Sequence, residues 1–208
     1  MGSGLAVVET ALVLPDMQIR APRDGYPEGE QTGALEAVYR YAEDNAPWNY
    51  VVQIGDFLDL PYFSKHKTNT AGQKYALQCW DEDRERGKTW LNRFGRLGDR
   101  RYLIEGNHDF RAVQYAKENP HLKTLVDMSA YVKEAGWKWV PYWTTDITVK
   151  IGKAEFGHGM LTNKYHAEAH ARRYLGANFF YGHVHDVQSY TPAVRGLGQV
   201  PITQSMGC

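Results

Sequence analysis

The chain predicts an α/β fold: two layered β-sheets with helices outside. Three observations carry this. Short apolar runs alternate with helix-length amphipathic stretches through the first half. These runs end in clusters of polar residues, as parallel strands of open α/β sheets do where they meet a ligand site. The second half is richer in β-branched and aromatic residues and in turn signals.

In order, Thr10-Ala11-Leu12-Val13-Leu14 reads as a buried strand that stops at Pro15-Asp16. Residues 32–46 follow with Leu35, Val38, Tyr39 and Ala42 at helical spacing. Tyr50-Val51-Val52-Gln53-Ile54 is a second strand, broken by Gly55-Asp56, and residues 73–97 are a long helical stretch. Arg101-Tyr102-Leu103-Ile104 is a third strand, broken by Glu105-Gly106-Asn107. The β-α-β-α-β order favours parallel strands with helical crossovers. Extended structure is expected from Trp139 to Phe156, with a hairpin turn at Lys150-Ile151-Gly152-Lys153. A helix at 165–175, a strand at 178–181 and extended pieces at 188–193 and 199–206 complete the reading. No linker or internal repeat interrupts it, so residues 5–208 are expected to form one domain.

Composition narrows the function. Lys+Arg and Asp+Glu are 24 each, so no global field draws the protein to nucleic acid or to an anionic membrane. The two cysteines, Cys79 and Cys208, supply neither a disulfide framework nor a zinc motif, and fit a reducing cytoplasm. The N-terminal stretch does not read as a signal peptide, and no run is apolar enough to span a bilayer.

Five separated loops carry the chemistry: Asp16-Met17-Gln18, Gly55-Asp56-Phe57-Leu58-Asp59, Gly106-Asn107-His108-Asp109, Gly157-His158-Gly159 and Gly182-His183-Val184-His185. Each follows a strand-like run. Taken singly, Asp16, Asn107 and Asp109 are ordinary turn formers, and the histidines could be structural. Together they offer Asp, Asn and His donors, a set that suits Mn, Fe, Zn or Ni better than calcium. The donors are too many for one ion. A carboxylate shared by two ions would hold them roughly 3.5–4 Å apart, the spacing of two-metal hydrolytic sites. Two such cations neutralise phosphate oxygens and acidify a bound water, as hydrolysis of a stable phosphate ester requires.

The order and content of these loops resemble the calcineurin-like metallophosphoesterase family, from Asp16 to His185. The combination of GDxxD, GNHD and GHxH is specific, although each element alone is weak. The resemblance implies the family's two-layer sandwich and two divalent ions, Mn first, with Fe, Zn or Ni as alternatives. It also implies phosphoester hydrolysis by a metal-bridging hydroxide. By position, Asp56 would bridge the ions. Asp16, Gln18 and His185 would complete a first site, and Asn107, His158 and His183 a second. His108 would be the catalytic histidine and Asp59 the carboxylate that orients it; a carboxylate beside an imidazole favours the protonated ring. Gln18 departs from the family pattern, which has His there. An amide oxygen is a harder and weaker donor than imidazole, so a looser first site that prefers Mn to Zn is expected.

The protein phosphatases of the family follow the second Asp with Arg-Gly and use GNHE. Here Leu60-Pro61 follows Asp59, and the third motif ends in Asp109. That combination resembles the phosphodiesterase and nuclease branch, so a diester is the expected substrate, with DNA or RNA a candidate. A small phosphomonoesterase and a non-catalytic protein-binding scaffold are the alternatives. Candidate substrate contacts are His66, in a polar loop after Asp59, and Arg86 and Arg93, which with Arg96 and Arg100 make a basic helix face. His166 and His170, four apart on a predicted helix, read as a solvated face. The tryptophans at 137, 139 and 143 read as core or strand residues rather than as a base-stacking platform.

Overall fold

The computed structural model describes residues 9–22, 32–64, 75–192 and 200–207, so the expected contact at His66 lies outside the described residues. Four parallel strands form the first sheet in the order β1 (Ala11–Leu14), β2 (Trp48–Gln53), β3 (Gly98–Ile104) and β4 (Lys138–Val140). Helices α1 (Thr32–Asp44) and α2 (Ala76–Gly95) supply the first two crossovers, and α3 (Asn107–Glu118) and α4 (Met128–Glu134) the third. A four-residue helix, α5 (Tyr142–Thr145), leads to the second sheet. There β5 (Val149–Ile151) and β6 (Ala154–Gly157) form the expected hairpin, turning at Gly152 with φ of 56°. The order continues through β7 (Asn178–Tyr181) and β9 (Thr203–Ser205) to the edge strand β8 (Ser189–Tyr190), with α6 (His166–Arg173) as the crossover before β7.

Alternation along the strands decides the layers. On β2, Val51 points to the helices, whereas Tyr50 and Val52 point to the second sheet. On β3, Leu103 and Ile104 divide in the same way. Period-2 side-chain geometry allows one strand to feed two cores, which is why these runs read as almost continuously apolar. The helix-side core takes one face of α2, where Trp80, Trp90, Leu91 and Phe94 are buried, together with Leu97 just after it. Each such side chain stabilises the fold by roughly 1.5–3 kcal/mol. The inter-sheet core holds Ile54, Ile104, Val140, Tyr142, Val149, Ile151 and Phe156.

The segment expected to be extended from Trp139 to Phe156 is interrupted by α5. Pro141 stops β4, and the Glu105 carboxylate accepts hydrogen bonds from both the amide and the hydroxyl of Thr144 at 2.8 Å, which turns the chain there. The solvated face expected for His166 and His170 is corrected: both are buried, at 2% and 0% exposure. His170 Nδ1–H donates to the His166 carbonyl at 2.8 Å, and its Nε2 accepts from the amides of Met160 and Leu161. Its ring lies 4.0 Å from that of Tyr181, so α6 packs this face onto the second sheet.

The basic face of α2 is partly consumed by packing. Arg93 forms a two-bond ion pair with Glu36 of α1 at 2.5 and 2.8 Å, and its guanidinium lies over the rings of Tyr39 and Trp90. Arg86 donates to the Thr32 hydroxyl. Arg100 contacts the Tyr50 hydroxyl and lies 3.6 Å from Glu9. It sits early in β3, away from the C-terminal strand ends.

Candidate metal centre

All five motif loops leave the C-terminal ends of strands, and the loops after β1 and β2 are themselves paired. Gln18 N–H donates to the Asp56 carbonyl at 2.9 Å, Ile19 N–H to the Phe57 carbonyl at 2.8 Å, and Asp59 N–H to the Ile19 carbonyl at 3.2 Å. Asp16, Gln18 and Asp56 are thereby set side by side on irregular backbone. Seven described non-glycine residues have positive φ, and five of them are motif residues: Asp16, Gln18, Asp56, His183 and His185. Positive φ is uncommon for non-glycine residues and clusters at functional sites, where the surrounding structure enforces it.

Two glycines show how tightly the loops interlock. Gly55 has φ of 107°, and a Cβ there would overlap the His158 ring. A Cβ on Gly106 would overlap the backbone and carboxylate of Asp56. Gly55 and Gly106 therefore each make room for a donor from a different motif.

One group of donors converges around the buried Asp56 and His158, with His183 half-buried. Ligand atoms of Asp56, His158 and His183 all lie within 4.8 Å of one another. His158 Nδ1–H donates to the Ile54 carbonyl at 3.0 Å, which aims Nε2 inward, 3.0 Å from Asn107 Oδ1 and 3.3 Å from Asp56 Oδ1. A backbone acceptor of this kind fixes the tautomer of a metal-binding imidazole. His183 lies beside it, with ring centroids 5.0 Å apart.

The second group is more open. Asp16 is buried and accepts from the His183 amide through both oxygens, at 3.1 and 2.9 Å. Gln18 Nε2 lies 3.3 Å from His185 Nε2, and His185 is exposed. This group borders a cavity of about 510 Å³ lined by Asp16, Gln18, Arg20, Asp59 and His185, with an apolar wall that includes Leu35.

The electrostatics fit a cation. Burial pushes Asp16 up to about 7, and the neighbouring Asp56 charge adds to the rise. Burial also opposes charge on Asp56 and His158. Their mutual attraction overcomes it, holding the carboxylate below its usual range and raising the imidazole to about 9. Burial lowers His183 to about 4, and the nearby His158 charge lowers it further. His158 Nε2 thus faces the oxygens of Asp56 and Asn107. A divalent cation there would meet the same donors and supply the charge that two buried carboxylates lack.

His108 projects beside this centre. Its amide donates to Asp56 Oδ1 at 2.8 Å, its Nδ1 lies 2.9 Å from Asp59 Oδ1, and its Nε2 is 3.8 Å from Asp56 Oδ2. Burial raises Asp59, but His108, Arg20 and Arg111 outweigh it and hold the carboxylate below its usual range. Arg20 Nη1 donates to Asp59 Oδ2 at 2.9 Å, and Arg111 Nη1 to its carbonyl at 2.7 Å. The sequence reading missed both arginines, although each sits within four residues of a motif donor. Asp109 is fully buried and accepts from the amides of Gly106, Phe57 and Leu58, so it ties the third loop to the second. Burial and the Asp56 charge raise it to about 6.

Arg86 and Arg93 are not brought to the centre. They remain on α2 with the partners given above. No described helix is long and apolar enough to cross a membrane. No curated protein matches the chain. The sequence pattern of the calcineurin-like phosphoesterases, by contrast, matches residues 10–187 and so spans all five motif loops.

Proposed function

The chain belongs to the calcineurin-like phosphoesterase family, and from that premise we propose that it hydrolyses phosphodiesters with two divalent metal ions, manganese foremost. The observation that carries this reading is the convergence of Asp56, His158 and His183 at the strand ends beside the His108–Asp59 pair. Asp56, Asn107, His158 and His183 would hold one ion, and Asp16, Gln18 and His185, with Asp56 shared, the other. When bound, the ions neutralise charge on the phosphate and provide an acidified water as nucleophile.

The remaining work falls to the chain. Asp59 orients the imidazole of His108 through Nδ1, leaving Nε2 to face the scissile group and to protonate the departing oxygen. Arg20 and Arg111 brace Asp59, which keeps that carboxylate charged. The cavity beside Gln18 and His185 is large enough for an organic group on the phosphate, and the preference for a diester rests on Leu60-Pro61 after Asp59 and on Asp109 ending the third motif. Nucleic acid is one such diester. Since net charge is zero, its binding must come from local contacts. With so few cysteines, a cytoplasmic location is part of the same reading.

A non-catalytic scaffold is the second reading, and the approach of Gln18 to His185 favours it, because the Gln18 amide nitrogen then occupies Nε2 of His185, a candidate ligand atom. Metal content together with a hydrolysis panel decides between the two. Protein loaded with Mn should turn over bis(p-nitrophenyl) phosphate faster than p-nitrophenyl phosphate. Bound metal with a preference for the monoester would overturn the diester assignment. Protein that takes up no metal and turns over neither ester would establish the scaffold.

A further inference from the structure

Trp143 occupies an unusual position. Its ring centroid lies 5.5 Å from that of His183 and 6.1 Å from that of His158, inclined at 54° and 65° to them. The indole is only partly buried. Among the described residues no other ring packs on it and no cation lies over it. Nor does it belong to either hydrophobic core, unlike Trp80, Trp90 and Trp137. Its backbone is nonetheless fixed. The Glu105 carboxylate, 1% exposed, binds the amides of Trp143 and Thr144, and the Glu105 amide donates to Val140 at 2.8 Å. Glu105 directly precedes Gly106-Asn107, so the element carrying Trp143 is locked to a loop that carries a candidate metal ligand.

A partly exposed indole on a fixed backbone at the edge of a polar centre can take a further planar group beside the two imidazoles. Planar bases stack on such surfaces whatever their sequence, because every base has a π-face. We propose that Trp143 is a substrate-specificity residue: its indole stacks on a nucleobase attached to the phosphate bound at His158 and His183, so the substrate class is a nucleoside phosphodiester. This rests on the phosphoesterase reading above.

The test uses full-length Mn-loaded protein and two esters that share a leaving group: thymidine 5′-(p-nitrophenyl phosphate) and ethyl p-nitrophenyl phosphate. Trp143→Leu keeps an apolar group against the imidazoles but removes the ring, and Trp143→Phe keeps a smaller ring. Trp143→Leu should raise KM about 10-fold for the thymidine ester, the scale of one lost base stack, and change KM for the ethyl ester by no more than about twofold. Trp143→Phe should recover much of the difference. Calorimetric binding of thymidine 5′-monophosphate against ethyl phosphate should show the same selective loss. Equal losses on both esters with reduced metal content would overturn the proposal, making Trp143 a support for the histidines. Unchanged KM and unchanged binding would overturn it as well. If the wild type turns over neither ester yet binds thymidine 5′-monophosphate in a Trp143-dependent way, the stacking assignment stands and the hydrolytic reading falls.

Discussion

The two halves of the proposed centre are built differently. Asp56, Asn107, His158 and His183 draw on both sheets and on the start of α3; ligand atoms of Asp56, His158 and His183 lie within 4.8 Å of one another, and Asp56 and His158 are buried. His158 is fully buried, and its ring is aimed by a strand carbonyl. The other half, Asp16, Gln18 and His185, faces a cavity, ends in an exposed histidine and substitutes an amide for an imidazole. Preorganised donors bind without paying to be ordered, whereas exposed ones must be ordered by the ligand. The buried half should therefore hold its ion tightly and the open half weakly, with exchange.

The change that should break this difference most completely is Asp56→Asn, because Asp56 belongs to both halves. It should release at least one ion and reduce turnover by at least about 10³-fold, the scale of losing a principal electrostatic contact to the transition state. Metal analysis and turnover of a nitrophenyl diester measure both. Two retained ions with normal turnover would mean that Asp56 does not join the halves. His108→Ala should come next. It leaves every proposed ligand in place, so metal content should hold while turnover falls about 10²–10⁴-fold, and by less with a nitrophenyl leaving group than with an alkyl one. Loss of metal in that variant would make His108 a ligand.

The asymmetry itself was not legible in the sequence, although much else was. The five loops could be recognised in order because each interrupts an apolar run with donors. The first three strands of the first sheet could be placed because their apolar runs feed two cores, whereas β4 reads as part of one extended stretch from Trp139 to Phe156. Helix α3 was missed because it begins at Asn107, inside a motif that reads as a loop. Its start depends on Asp109 turning back to accept the Gly106 amide, a capping contact not apparent from composition. The role of His170 was misread because i,i+4 polarity looks the same whether a helix face meets water or a polar niche. Trp143 read as a core or strand residue but lies in neither core, since its position depends on where the Glu105 carboxylate turns the chain. The unequal burial of the two halves depends on sheet register and crossover packing, and no short motif encodes either.

Gln18→His sharpens the comparison from the open side. An imidazole at position 18 would complete the family's usual donor set there and bind Zn better than an amide oxygen does. The variant should raise zinc affinity for the weaker of the two ions by about 10-fold, at the lower end of the effects seen when a metal site's ligand surroundings change. It should also move the preference away from Mn, while the tighter ion is unaffected. Titration with both metals checks this. If neither ion's affinity changes, Gln18 is not a donor, and its contact with His185 has some other purpose.

The smallest expected effect tests whether the buried half owes its order to α6. His170 Nε2 accepts the amides of Met160 and Leu161, directly after the Gly157-His158-Gly159 loop, and a protonated ring could accept neither. Burial lowers this imidazole to about 4. The unfolded chain therefore takes up the proton near pH 6.5, while the folded chain resists it down to about pH 4. Between those values the unfolded state binds more protons, so stability falls as pH falls through that window. From pH 7 to pH 5 the loss attributable to this residue should be about 1–2 kcal/mol, since each unit of separation is worth about 1.4 kcal/mol. Replacing it by glutamine keeps an acceptor oxygen but removes the titration. Denaturant unfolding at the two pH values should then show His170→Gln losing less stability on acidification than the wild type, even if it starts lower. Parallel losses in the two proteins would mean that acid reaches the His158 loop by another route, and that α6 does not maintain the order of the buried half through this ring.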